Sequence, residues 1–289
     1  MTKNSTSLID SKWTGMVPVD DTALAVTDTG GTGIPVVYLN GSYADQSHWR
    51  KVIADLGPGW RHITYDERAR GRSKKSADYS FEACIRDLDA ILKARCVDRP
   101  ILVGWSYGAY LAVHWASRHP DRMRGVVSVD GAYPYDWIDD AARERIRKLF
   151  RLLGWMFPIA SRIGLAARFS AEQHAEVNIE INEISGALGP VLDSLTVAVR
   201  YVVALGAHLG ASTEEMETVR ATLDPVLARN SNIRVSATVA SNHSKILRKD
   251  FHAVADAVRE VATVYSGGPP GACGREVAGD GKRPLKSSI

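Results

Sequence analysis

The sequence has 289 residues, of which 45% are hydrophobic and 24% charged, with a formal net charge of +3. These values are typical of a globular protein with one large domain, and the lack of a basic stripe argues against nucleic-acid binding. The sequence contains no run of about 18 apolar residues for a membrane span and no signal-peptide core near its start. The cysteines Cys84, Cys96 and Cys273 lack metal-ligand spacing, so we expect a cytoplasmic protein without disulfides.

The first half of the chain alternates short apolar runs with amphipathic helices. Two short strands are predicted at 16–19 and 24–27, and the glycine-rich segment 28–33 predicts a hairpin turn, because no Lys-Ser/Thr of a phosphate loop follows it. Helices are predicted to open near Ser80 and Ser106. Buried strands are predicted at Pro35–Leu39, His62–Tyr65, Ile101–Gly104 and Val126–Val129. This order predicts an α/β fold with a mostly parallel sheet.

The alternation stops after Asp130, and residues 135–195 have a helical pattern with many aromatic residues. It resumes with a strand at 197–205, a helix near 212–228, a strand at 233–239 and a helix at about 250–265. We therefore predict an α/β core formed by residues 16–134 and 196–265, with residues 135–195 inserted as a helical lid. The Gly/Pro/Lys-rich tail, residues 266–289, is expected to be disordered.

A nucleophile motif lies between one predicted strand and the next predicted helix. The segment Gly104-Trp105-Ser106-Tyr107-Gly108 matches G-x-S-x-G. The motif alone is weak evidence, but a nucleophile elbow requires this strand-turn-helix placement. The sharp turn brings backbones close together, so glycine is needed on both sides of the serine. Ser106 is therefore the predicted nucleophile.

Two further segments resemble the α/β-hydrolase superfamily. Asn40-Gly41-Ser42 follows the strand at 35–39, where that family commonly has His-Gly, and residues 66–73 resemble its structural turn D-x-R-G-x-G-x-S. The resemblance covers about residues 17–265. It implies the α/β-hydrolase fold and an oxyanion hole formed by the backbone amides of Ser42 and Tyr107.

A serine nucleophile needs a histidine base that is oriented by a carboxylate. His243 follows the last predicted strand, where the chain order serine, acid, histidine places the base. Asp130 ends the sixth strand, a position at which some family members, including a group of haloalkane dehalogenases, carry the acid. It is therefore the predicted acid, and the alternatives are Glu214, Glu215 and Asp224.

These residues predict acyl transfer through an acyl-enzyme on Ser106, with hydrolysis of an ester, lactone or thioester of a small to medium apolar substrate. A serine nucleophile argues against dehalogenase and epoxide hydrolase chemistry, for which the family uses a carboxylate. We expect neither cofactor nor metal. Candidate substrate contacts are Tyr43, Trp105, Trp137, Trp155 and His208.

Two other functions remain open at this point. The same residues could serve a non-hydrolytic enzyme of natural-product metabolism, such as a cyclase, acyltransferase or lyase. Alternatively, the fold could serve as a ligand-binding receptor, because function does not follow from fold. The expected partner is a small-molecule substrate, without nucleic acid or membrane, and the sequence leaves a homodimer open.

Overall fold

The computed structural model describes residues 11–162, 166–206 and 213–264. They include an eight-stranded sheet with the strand order β1-β2-β4-β3-β5-β6-β7-β8. Its strands are β1 Trp13–Val19, β2 Thr22–Asp28, β3 Ile34–Leu39, β4 Trp60–Tyr65, β5 Ile101–Trp105, β6 Gly125–Val129, β7 Ala198–Ala204 and β8 Ile233–Val239. The β1–β2 and β2–β4 pairs are antiparallel, and the other neighbours are parallel. The predicted mostly parallel sheet is confirmed.

Helices cover both faces of this sheet. They are α1 Arg50–Leu56, α2 Phe81–Ala94, α3 Tyr107–Arg118, α4 Asp140–Leu153, α5 Phe157–Arg162, α6 Ala171–Gly186, α7 Leu188–Asp193, α8 Thr213–Ala221, α9 Asp224–Arg229, α10 Ile246–Lys249 and α11 Phe251–Val264. On one face, α2 and α3 bury Leu88 and Trp115 against the strands, and on the other, α1 and α11 bury Val52 and Val258. Because both faces are covered, β5 and β6 are buried along their whole length.

The segment between β2 and β3 does not form the predicted hairpin turn. β4 lies between these two strands and pairs with both. Residues 28–33 instead carry the chain across β4, and the buried Asp28 stabilises this crossing. Its carboxylate accepts hydrogen bonds from the Gly30 N–H at 2.9 Å and from Arg61 Nη2 at 2.7 Å. Turn residues predict where the chain reverses or bends, but they do not predict which strands then pair.

Helices α4 to α7 occupy the connection between β6 and β7. The helical pattern of this segment is interrupted at 154–156 and again before Ser170. Ser170 caps the start of α6 and forms a capping box with Gln173. The helix predicted near 212–228 is likewise divided into α8 and α9, and Pro225 lies in the first turn of α9, where proline is favoured. The predicted tail, residues 266–289, lies outside the described residues. Within the described part of the chain, no helix is long and apolar enough to cross a membrane.

Candidate active site

Ser106 lies in a sharp turn between β5 and α3. Its backbone has φ 55° and ψ −116°, a conformation that is rare for a residue other than glycine, and its N–H donates to the Val129 carbonyl at 3.0 Å. The glycines on either side are required by close packing. If Gly104 had a Cβ atom, that atom would lie 2.2 Å from the Gly108 carbonyl oxygen. A Cβ atom on Gly108 would lie 2.2 Å from the Leu39 carbonyl oxygen.

The same packing brings two loops together at one edge of the sheet. β3 lies between β4 and β5 in the sheet. After β3, the chain forms β4 on one side of it and then β5 on the other side. Crevices at such a switch point, beyond the carboxyl ends of parallel strands, are where open α/β sheets bind ligands. The loop after Leu39 and the turn at Ser106 both lie at this point.

Asp130 and His243 are in direct contact although they are far apart in the chain. His243 Nδ1 lies 2.8 Å from Asp130 Oδ2, and Asp130 is buried. The other carboxylate oxygen, Oδ1, accepts hydrogen bonds from the Ala204 N–H and the Tyr133 hydroxyl, each at 3.1 Å. With both oxygens engaged, the carboxylate is held in one orientation and in turn orients the imidazole ring.

Asp130 itself is held by backbone packing. It has φ 44°, and its N–H donates to the Val202 carbonyl at 2.9 Å. A Cβ atom at the following Gly131 would come within 2.5 Å of the Ser106 carbonyl oxygen, so the turns after β5 and β6 are packed against each other. The alternative acids, Glu214, Glu215 and Asp224, lie exposed on α8 and α9.

The predicted oxyanion residues lie on the two loops of this crevice. Tyr107 is the first residue of α3, where backbone N–H groups have no acceptor within the helix. The Ser42 carbonyl accepts a hydrogen bond from Arg70 Nε at 2.5 Å. Arg70 is itself buried, so its guanidinium group restrains the peptide that follows Ser42.

Asn40 has a full set of hydrogen bonds in the position where the resembling family commonly has histidine. Its side-chain Nδ2 donates to the Tyr65 carbonyl at 2.7 Å and to Glu67 Oε2 at 2.8 Å. Its backbone N–H donates to Glu67 Oε1 at 2.9 Å. Its Oδ1 accepts a hydrogen bond from Trp49 Nε1 at 2.7 Å. Burial raises the pKa of Glu67 to about 7, although the positive charge of Arg70 and the bonds from Asn40 oppose this shift.

The structure places the candidate substrate contacts at different points. Tyr43, with Ser42 and Arg70, lines a small cavity of about 20 Å³, which extends to Phe169 and His174 of the inserted segment. Trp105 packs against His243, with ring centroids 5.4 Å apart.

The two tryptophans of the insertion are exposed. Trp137 donates from its indole nitrogen to Asn182 Oδ1 at 2.8 Å, and Trp155 is 71% exposed. The remaining candidate, His208, lies outside the described residues.

Three residues of this site did not emerge as functional candidates from the sequence. Arg70 and Glu67 stand at unspecified (x) positions of the motif at residues 66–73. Both side chains are charged and buried, and a charged residue within a structural turn was the signal that the sequence offered. Tyr133 lies three residues after Asp130, and no sequence pattern marks it. Its contact with the carboxylate depends on the path of the chain after β6.

The model of the α/β hydrolase fold family matches residues 34–176. A haloalkane dehalogenase of Mesorhizobium japonicum is 32% identical over 139 residues, which are 47% of this chain and 45% of that protein. A 2-succinyl-6-hydroxy-2,4-cyclohexadiene-1-carboxylate synthase of Klebsiella pneumoniae is 31% identical over 125 residues, which are 43% of this chain and 48% of that protein. The matches therefore span about half the length of these relatives.

Solved structures resemble the chain over a longer stretch. The enol-lactonase from Burkholderia xenovorans has a TM-score of 0.65 and 21% identity, with 86% of this chain and 100% of that chain covered. An esterase from Thermogutta terrifontis has a TM-score of 0.64 and 20% identity, with 88% and 98% covered. At this identity they show the fold alone. Taken with the family model and the sequence relatives, the fold shows that the chain belongs to the α/β-hydrolase superfamily.

Proposed function

We propose that this chain is a serine hydrolase that cleaves an ester, lactone or thioester bond. The observation that carries the proposal is the contact between His243 and the buried Asp130 at 2.8 Å, next to the strained turn at Ser106. A histidine that is oriented by a carboxylate beside a serine on a nucleophile elbow supports acyl transfer.

In the proposed reaction, His243 acts first as a base and then as an acid, and Ser106 is the nucleophile. His243 takes the Ser106 hydroxyl proton on Nε2, the ring nitrogen that does not face Asp130, while Ser106 Oγ bonds to the carbonyl carbon. The amides of Ser42 and Tyr107 stabilise the oxyanion. The bond to the leaving alcohol or thiol then breaks, and His243 returns the proton to it. Water, activated by His243, hydrolyses the acyl-enzyme and restores Ser106.

The proposed hydroxyl nucleophile also favours one of the activities of the relatives. If Ser106 displaced a halide from carbon, the product would be a stable ether that water does not readily cleave. An acyl ester on the same oxygen is an activated intermediate that water can hydrolyse. We therefore favour the esterase and lactonase type of reaction over the dehalogenase type.

The substrate proposal rests on the inserted helices. We propose that residues 135–195 act as a lid over a core formed by residues 16–134 and 196–265. The lid carries exposed apolar side chains that fit a small to medium apolar acyl group, among them Trp155, Met156 and Ile159.

A fluorophosphonate probe tests the proposed nucleophile. We expect wild-type protein to be labelled on Ser106 and to hydrolyse p-nitrophenyl esters, and Ser106→Ala to lose both properties. Ser117→Ala is the matched control, because Ser117 lies at the far end of α3, where its hydroxyl donates to the His114 carbonyl at 2.9 Å. Esterase activity that survives in Ser106→Ala would show that the nucleophile is a different residue.

A non-hydrolytic reaction is the second candidate, because the Klebsiella pneumoniae relative is a synthase. Reaction in water enriched in ¹⁸O distinguishes the two. Hydrolysis of an acyl-enzyme places one solvent oxygen in the product acid, whereas cyclisation or elimination places none. Turnover of a substrate without ¹⁸O incorporation would therefore favour the synthase type of reaction.

A further inference from the structure

A groove of about 550 Å³ lies beside the proposed active site, on the side of Trp105 and α1. One wall comes from the turn before α1 and from α1 itself, and the other comes from the loop after His243 and from α10. Its lining residues are Ser47, His48, Arg50, Lys51, Trp105, Ser244, Lys245, Leu247 and Arg248.

The charged residues that line this groove are basic. Four of its lining residues are exposed cations, namely Arg50, Lys51, Lys245 and Arg248, and none is acidic. Among the residues that the structure describes, these four make no ion pair with a carboxylate within 4.0 Å. Arginines elsewhere on the surface are paired with carboxylates, among them Arg86, Arg118, Arg147 and Arg229.

Two of the cations are held in place by neutral partners. Lys51 Nζ donates to the Arg248 carbonyl at 2.9 Å and lies 5.1 Å from the centroid of the Phe251 ring. Arg50 Nε donates to the Ser47 carbonyl at 3.0 Å. These bonds orient the side chains without neutralising them, so their positive charge remains available to a ligand.

The carboxylate of Asp45, which precedes this wall in the chain, makes local contacts. Asp45 Oδ1 accepts a hydrogen bond from the Ser47 N–H at 2.8 Å and lies 3.7 Å from His48 Nδ1, and Asp45 does not line the groove.

We propose that this groove binds a small molecule that carries a diphosphate group. Four uncompensated cations around one concave surface match a group with several negative charges better than a single carboxylate. The ligand would lie against Trp105, which precedes Ser106 in the chain and contacts the His243 ring. The site is formed by side chains other than those of the proposed triad, so ligand binding does not depend on the proposed reaction.

Calorimetric titration of the full chain with inorganic pyrophosphate at low ionic strength tests this site. We expect saturable binding by the wild type, weaker binding of inorganic phosphate, and a loss of affinity at high salt because exposed charges are screened. The variant Lys245→Glu/Arg248→Glu should bind pyrophosphate at least about tenfold more weakly than the wild type does. Ser106→Ala should bind like the wild type, which separates this result from the test of the nucleophile.

The matched control is Arg145→Glu/Lys148→Glu, which makes the same charge change on exposed residues of α4. It should keep wild-type affinity. If the groove variant does not fold, as judged by circular dichroism, the neutral variant Lys245→Gln/Arg248→Gln replaces it. An equal loss of affinity in the control, or no binding by the wild type, would overturn the proposal. So would binding of polyglutamate without binding of pyrophosphate, which would indicate an acidic protein partner.

Discussion

His243 Nδ1 lies 2.8 Å from Oδ2 of Asp130, a residue 113 positions earlier in the chain, and the Ala204 N–H and the Tyr133 hydroxyl hold the other carboxylate oxygen. This arrangement fixes the ring of the proposed base through a carboxylate that water does not reach. The proposed role of Asp130 is therefore the first to test by substitution.

Asp130→Asn is expected to lower kcat for p-nitrophenyl esters by roughly 10³-fold to 10⁴-fold, because an amide does not hold the histidine in the tautomer that accepts the serine proton. Asparagine keeps the shape and tolerates the positive φ of this position. Steady-state kinetics on Glu214→Gln, which changes an exposed acid of α8, should give near-wild-type rates. The reverse result, with the larger loss in Glu214→Gln, would make Glu214 the acid.

Arg70→Met is expected to lower kcat about tenfold or more, with a smaller change in KM. The substitution removes the Nε donor that restrains the Ser42 carbonyl and with it the loop of the proposed oxyanion hole. Methionine retains an unbranched apolar stem. Arg72→Met, an exposed neighbour in the same turn, is the control. Equal kinetics for the two variants would mean that Arg70 does not position this loop.

Ionisation of the buried Glu67 carboxyl should lower the free energy of unfolding as the pH rises. Burial raises its pKa from the usual 4.5 to about 7, so the folded state binds the proton more tightly than the unfolded state. The stabilisation from the protonated Glu67 carboxyl is complete below pH 4.5 and is lost as the pH rises to about 7. One pKa unit is equivalent to about 1.4 kcal/mol. The free energy of unfolding of the wild type should therefore fall by about 3 kcal/mol relative to that of Glu67→Gln across this interval.

Urea unfolding of both proteins between pH 4 and pH 8 measures this difference. Glu82→Gln is a control of opposite sign, because the hydrogen bonds from Arg118 lower the pKa of Glu82 and its contribution is lost as the pH falls. A difference between wild type and Glu67→Gln that does not change with pH would mean that Glu67 ionises in its usual range.

Gly104→Ala should destabilise the fold by about 2 kcal/mol or more, because the new Cβ atom would lie 2.2 Å from the Gly108 carbonyl oxygen and the backbone there cannot move aside. In Gly189→Ala, the Cβ atom on α7 meets nothing within 4 Å, so its stability should stay within about 1 kcal/mol of the wild type. Thermal unfolding of the two variants checks the prediction, and equal melting temperatures would contradict it.

Much of the fold could be predicted from local patterns. Apolar runs bounded by turn residues predicted each strand to within a few residues, and Ser80 marked the start of α2, where its hydroxyl accepts from the Ala83 N–H at 3.2 Å. The breaks near 154–156 and before α6 were not predicted, because the helical period continues across them and only the capping box at Ser170 and Gln173 indicates a new start. Within the candidate site, the choice of Ser106 rested on the turn chemistry of its own segment.

Residues that are close together in the chain were enough to predict the succession of strands and helices along the chain, the elbow around Ser106 and the family resemblance. The three-dimensional structure was needed to show that β4 lies between β2 and β3, that His243 contacts Asp130, and that Arg70 restrains the loop at Ser42. Periodicity and turn chemistry act over a few residues, whereas strand pairing and the partners of buried charges depend on packing between distant segments. For this reason Ser106 could be located as the candidate nucleophile from its motif, while the contacts of the residues around it required the fold.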